Sequence, residues 1–136
     1  DVFIDVKNIN PDNTNLKNNY SIVKLWNYPT KSFRPTGLQF CGLMMGDHSK
    51  CGINVMFNTG TVVGVSANIF GSGYQRNFYP SFHWGGGTTN ITDYKLDVAL
   101  DVAEKVYKRR NKIFNEVDGQ ILYSVYNLTE EFRHKY

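Results

Sequence analysis

The sequence predicts a mainly β fold, a parallel β-helix of hexapeptide repeats followed by two C-terminal α-helices. Three observations predict it. From Met45 to Tyr74 the chain divides without a gap into five hexads, MGDHSK, CGINVM, FNTGTV, VGVSAN and IFGSGY. The first position is apolar each time (Met45, Cys51, Phe57, Val63, Ile69), and the fifth is small or β-branched (Ser49, Val55, Thr61, Ala67, Gly73). Two amphipathic stretches then close the chain.

A period of six belongs to neither a helix nor a flat strand. A fifth position and the next first position are two residues apart, so they share one face of a short strand. Between them, Gly46, Gly52, Asn58, Gly60 and Gly64 tolerate positive φ or build side-chain turns. Each hexad therefore reads as a short strand plus a corner. Repeated corners wind the chain into a coil with walls of parallel sheet, and the five first-position side chains are expected to point inward. An ordinary run of short strands with glycine turns is the competing reading, and it leaves the double register unexplained.

The coil region is assigned to residues 1–74. Its early part alternates apolar runs (DVFIDV, SIVKLW) with polar turns, and a loop is expected to extrude near 26–37. Residues 75–136 form an aromatic and Gly-rich connection and a two-helix tail. The first helix is expected over Thr92 to Arg110, with Thr92 as N-cap and Leu96, Ala99, Ala103, Val106 and Tyr107 on one stripe. The second is expected over Glu116 to His134 with Leu122, Val125, Leu128, Thr129 and Phe132 inward, and Gly119 weakens its start. The aromatic connection is expected to pack a helix against the coil, and the helices to cover one open end.

Composition narrows the function. The chain has 136 residues, 41% apolar and 20% charged, enough for one domain with a modest core or part of one. It opens at Asp1 inside a patterned region, which reads as a fragment. A net charge of +3 gives no argument for nucleic acid or an anionic membrane, and no apolar run reaches membrane-spanning length. Cys41 and Cys51 read as free, buried thiols of a reducing compartment in preference to a disulfide, which places the protein in the cytoplasm. His48, His83 and His134 lie far apart without paired ligands, so no metal site is expected. GGGTTN and GSGYQR fit neither a Walker loop nor a dinucleotide fingerprint, and no G-x-S-x-G elbow is present. Lys105, Lys108, Arg109, Arg110 and Lys112 read as a solvated helix end.

Three segments carry a resemblance. TNLKNNYSIVKLW, TGLQFCGLMMGDHSKCGINVMFNTGTVVGVSANIFGSG and RNFYPSFHWGGG resemble the C-terminal part of bacterial sugar-phosphate nucleotidyltransferases. These are similar to the bifunctional N-acetylglucosamine-1-phosphate uridyltransferase/glucosamine-1-phosphate acetyltransferase. The resemblance implies a left-handed parallel β-helix, where the general crossover rule alone would give a right-handed one. It also implies a homotrimer, an acyltransferase site between subunits, and an N-terminal nucleotidyltransferase domain missing from this chain. The implied partners are a sugar phosphate or nucleotide sugar, and the implied cofactor is acetyl-CoA or another acyl-CoA, with no metal in this part.

By the same resemblance, Asn15 in TNLKN matches a family asparagine at the acyl-transfer site, and Lys17 and Lys24 lie where the family offers cations to the sugar phosphate. Gly71 falls near the pantetheine groove. The family's general-base histidine lies upstream of these segments, and no histidine precedes His48, so no catalytic residue is assigned here and the fragment alone is expected to be inactive. Ile53 after Gly52, and Phe70 before Gly71, depart from the small residues of the bifunctional enzymes. Two readings stay open: an acyltransferase-like domain, or a non-catalytic trimerising module of the parent transferase. Asn15 has a bland alternative too, a turn cap in the Asn-rich segment.

Overall fold

A computed structural model describes residues 7–9, 14–15 and 20–133, the first two segments by their backbone alone. Twelve short strands precede three helices in chain order. They are β1 (Lys7–Ile9), β2 (Thr14–Asn15), β3 (Lys24–Asn27), β4 (Ser32–Pro35), β5 (Leu43–Met45) and β6 (Lys50–Cys51). There follow β7 (Phe57–Asn58), β8 (Thr61–Val63), β9 (Asn68–Ile69), β10 (Phe78–Tyr79), β11 (His83–Trp84) and β12 (Thr92–Asp93). The helices are α1 (Leu96–Arg109), α2 (Glu116–Leu128) and α3 (Glu130–Arg133). The architecture is mixed β with parallel strand pairs, without a closed barrel, plus these helices. Among the described residues no helix is long and apolar enough to cross a membrane.

Successive strands of the hexad region do not pair with each other. Two of them pair in parallel with a strand eighteen residues on: Met45 lies opposite Val63, and Cys51 opposite Ile69. An isolated parallel bridge joins Met56 to Tyr74 at the same offset. The next partners come sixteen residues later, Phe78 on Val62 and Trp84 on Asn68. The reason lies in the corners. Gly42, His48, Asn54, Gly60 and Ser66 all have positive φ, from 54° to 77°, one every sixth residue. A left-handed residue at each of these places turns the chain between strands. Corners also stack closely, because a Cβ on Gly46 would sit 2.7 Å from the carbonyl oxygen of Gly64.

Four of the five first-position side chains form the core: Met45, Phe57, Val63 and Ile69 are buried, together with Leu43, Val55, Ala67 and Tyr79. Cys51 is the exception. It is exposed, as Cys41 is half-exposed, so the expectation of buried thiols is corrected; both are free. The cause is position in the sheets. Strand β5 is covered by antiparallel β1, and β7 by parallel β2, whereas β6 ends its own four-stranded sheet among the described residues. One side of Cys51 pairs with Ile69, and on the other no strand lies among the described residues.

The loop expected near 26–37 is instead an antiparallel hairpin, with Lys24 opposite Pro35 and Asn27 opposite Ser32. Asn27 Oδ1 accepts from the Thr30 amide (3.1 Å) and hydroxyl (3.0 Å), an Asx turn that reverses the chain before Lys31 takes a φ of 48°. Its Trp26 ring stacks on Phe78 at 4.3 Å and meets Phe132 edge-on, which ties the hairpin to α3.

Thr92 is not an N-cap. It pairs with Trp84 in β12, and α1 begins at Leu96 after Lys95, which supplies no side-chain cap. The second helix starts where expected and breaks at Thr129 into α2 and α3, while Leu128 is exposed. Thr129 donates its hydroxyl to the Val125 carbonyl at 2.7 Å. Asn115 and Asp118 form a reciprocal capping box at the start of α2. Asn115→Ala should lower stability by about 1 kcal/mol in a urea titration and leave the coil's β signal unchanged. Ala99, Ala103, Leu122 and Val125 bury themselves on Val65, Phe82 and Tyr94.

Candidate functional site

The residues carried over by resemblance separate in space. Strand β2 places Asn15 opposite Asn58 on β7. Lys24 reaches the same turn from the hairpin: its carbonyl oxygen would lie 3.0 Å from a Cβ on Gly60, and its side chain lines a cavity of about 340 Å³ with Phe33, Thr59 and Asn77. Asn15 and Lys24 thus converge on Asn58–Gly60. Asn58 is itself fixed, its Nδ2 donating to the Gln75 carbonyl at 3.0 Å. Lys17 lies outside the described residues.

Gly71 is not part of that cluster. With φ +110° it faces the Gly-rich connection, and a Cβ there would meet the Gly86 carbonyl oxygen at 2.6 Å. That connection is locked by Gln75, whose Oε1 accepts from the Tyr79 hydroxyl (2.7 Å) and the Gly87 amide (2.8 Å). Beside it, His83 is buried against the Tyr79 ring, centroids 4.7 Å apart, and its Nε2 has no hydrogen-bond partner. Burial pulls its imidazole down to about 4, with Arg76 adding to the effect and Asp93 opposing it. It lines no described cavity and reads as a core histidine. Ile53 projects into solvent from the corner after β6.

A second concavity was not expected from the sequence. Where α1 passes the corner at Asp47–His48, a groove of about 460 Å³ opens. The coil contributes Asp47, His48 and Lys50, and the helix end contributes Tyr107, Arg110 and Lys112. Local structure sets each group. His48 occupies a left-handed corner at φ 60°, and its ring stacks on Tyr107 with centroids 5.9 Å apart. After α1 the amides of Arg110 and Lys112 both donate to the Tyr107 carbonyl, at 3.0 and 2.9 Å, while Asn111 turns left-handed at φ 55°. This C-terminal closure returns the chain toward the coil, so that Lys112 and Arg110 face the groove.

Electrostatics there favour negative charge. Burial pulls the His48 imidazole below its ordinary value, against the pull of Asp47, so it is neutral at pH 7. Burial also lowers Lys50, whose ammonium donates to the His48 carbonyl at 3.1 Å. Three cations therefore face one carboxylate around a neutral ring. Among the described residues, no cluster of three or more histidine, cysteine or acidic side chains is placed to hold a metal ion. The two thiols are raised above the ordinary cysteine value, mainly by burial, so neither is primed as a nucleophile.

The sequence signal for this groove was present only in part. His48 stands at the fourth place of its hexad, where Asn54 and Gly60 also turn the chain. That Arg110 and Lys112 would meet it depends on how α1 docks. No protein-family model, curated protein or solved structure matches this chain.

Proposed function

We infer that this chain is the acyltransferase-like hexapeptide-repeat part of a sugar-phosphate nucleotidyltransferase, wound as a left-handed coil and assembled as a homotrimer. The observation that carries the reading is the parallel pairing at eighteen residues on three separate faces, Met45 with Val63, Cys51 with Ile69 and Met56 with Tyr74. Three six-residue sides per turn fit a triangular coil. The approach of Asn15 and Lys24 to one turn supports an acceptor end at Asn58–Gly60. There the acceptor amine would attack the thioester carbonyl of an acyl-CoA, lose its proton to a base and expel the thiol.

A second reading, a trimerising module without chemistry of its own, is favoured by one observation. The Gly85–Gly87 turn already occupies the face of Gly71 that a pantetheine arm would need. The test is thioester consumption by the full-length protein with amino-sugar phosphates as acceptors. Asn15→Ala should lower transfer about a hundredfold with little change in melting temperature if Asn15 contacts the transition state. A pure turn role would instead cost about 1 kcal/mol of stability and leave turnover intact. Absence of coenzyme A binding and of transfer with every acceptor removes the acyltransferase reading and leaves the module. Light scattering that finds a stable monomer at micromolar concentration removes the trimer.

A further inference from the structure

We propose that the groove between the Asp47–His48 corner and the C-terminal end of α1 binds a phosphorylated small molecule, with its phosphate on Lys50, Arg110 and Lys112 and its organic body against Tyr107. This site is separate from the Asn15 turn and does not depend on the acyltransferase reading.

The argument begins with charge. Among the described residues Arg110 and Lys112 have no ion-pair or side-chain hydrogen-bond partner, in contrast to Lys105, which pairs with Asp101 at 2.6 Å earlier on the same helix. Arg110 offers a planar fork suited to two oxygens of one phosphate, and the two lysines offer point charges. Asp47 is the carboxylate among the groove's lining residues, and Asp118, which also raises the His48 imidazole, is held by the Asn115 amide. The carbonyl end of α1 carries partial negative charge, but the closing amides of Arg110, Asn111 and Lys112 donate to two of its carbonyls, Tyr107 and Lys108. Positive charge is left in excess at the rim of the groove, on side chains that stay accessible to a ligand. Desolvation disfavours the charged form of Lys50, and a bound anion would favour it again.

Shape decides between ligand classes. About 460 Å³ lies within the range of small-molecule sites and exceeds what a bare phosphate fills. The groove is a concavity bounded by a corner and a helix end. Val106, Tyr107 and the His48 ring give it an apolar and aromatic side, suited to a sugar or base. His48 adds a neutral donor or acceptor. Its left-handed φ is uncommon for a side-chain-bearing residue, so the corner holds a ring where glycine would sit with less strain.

Titration calorimetry on the full chain would test this with inorganic phosphate, pyrophosphate, glucosamine 1-phosphate, AMP and ADP. At least one phosphate ester is expected to bind more tightly than inorganic phosphate, and Arg110→Gln/Lys112→Gln should weaken it tenfold or more. Lys108→Gln/Arg109→Gln removes the same charge from the adjacent exposed turn outside the groove and should change binding less than twofold. His48→Gly should weaken the esters more than inorganic phosphate. Circular dichroism keeps folding in view, and the four cations changed are all exposed. Equal losses in the two double variants would reduce the effect to general surface charge and overturn the proposal. So would no heat with any probe at 10 mM. Binding of a single-stranded oligonucleotide in the absence of ester binding would also overturn it.

Discussion

Phe57→Ala is expected to destabilise the protein by about 3–5 kcal/mol, whereas Cys51→Ala at the same hexad position should cost less than about 0.5 kcal/mol. Phe57 has no exposed surface and lies within the cluster of Leu43, Val63, Ile69 and Tyr79. Truncation removes the whole ring and leaves a cavity, because close stacking of the corners limits how far the walls can collapse. Cys51 sits on the edge strand with one side uncovered, so its loss creates no void. Urea midpoints for the two variants check both values. Near-equal effects would mean that the inward stack does not carry the stability of the coil. Phe57→Leu should recover more than half of the loss.

Acidification should destabilise the fold by about 3 kcal/mol through His83 alone. In the folded state its imidazole titrates at about 4, and in the unfolded chain it returns to the ordinary value of 6.5. Above pH 6.5 both states hold a neutral ring, and the contribution of His83 is fully present. Between pH 6.5 and 4 the unfolded chain takes up the proton first, so stability falls as pH falls, and it levels off below 4. The cause is desolvation, since the side chain is 2% exposed and packs on Tyr79. Carboxylates titrate in the lower half of this window, so the informative quantity is a difference. His83→Phe should flatten the fall in melting temperature between pH 7 and 4.5 relative to the unmodified protein. An unchanged acid slope would show that the ring is hydrated in the folded state.

The hexad positions were legible because burial in a repeat of short strands and turns follows chain spacing. Phe57, Val63 and Ile69 occupy first positions and are buried, and Val55, Thr61 and Ala67 at fifth positions are buried with them. Which corner residue turns left-handed was visible only loosely. Glycine marks it at Gly60, but His48 and Ser66 do the same work without any compositional signal. The helices were legible as amphipathic stripes, with Ala99, Ala103, Leu122 and Val125 inward. Their boundaries were not. The backbone of Thr92 gains more from pairing with Trp84 than from capping a helix, and that partner is decided across the fold. In the same way, the hairpin around Trp26 depends on Phe78 and Phe132, residues far along the chain.

The sequence by itself determined the repeat of six, the apolar stack it places inside, and two helices after an aromatic connection, because these follow from local spacing and turn chemistry. Tertiary structure alone decided that Cys51 is exposed, since coverage of a strand depends on which strand lies beside it. It alone decided that Asn15 and Lys24 meet at one turn while Gly71 is closed over. It also joined His48 and Lys50 to Arg110 and Lys112, because the docking of α1 beside the Asp47–His48 corner brings together charges that the sequence holds some sixty residues apart.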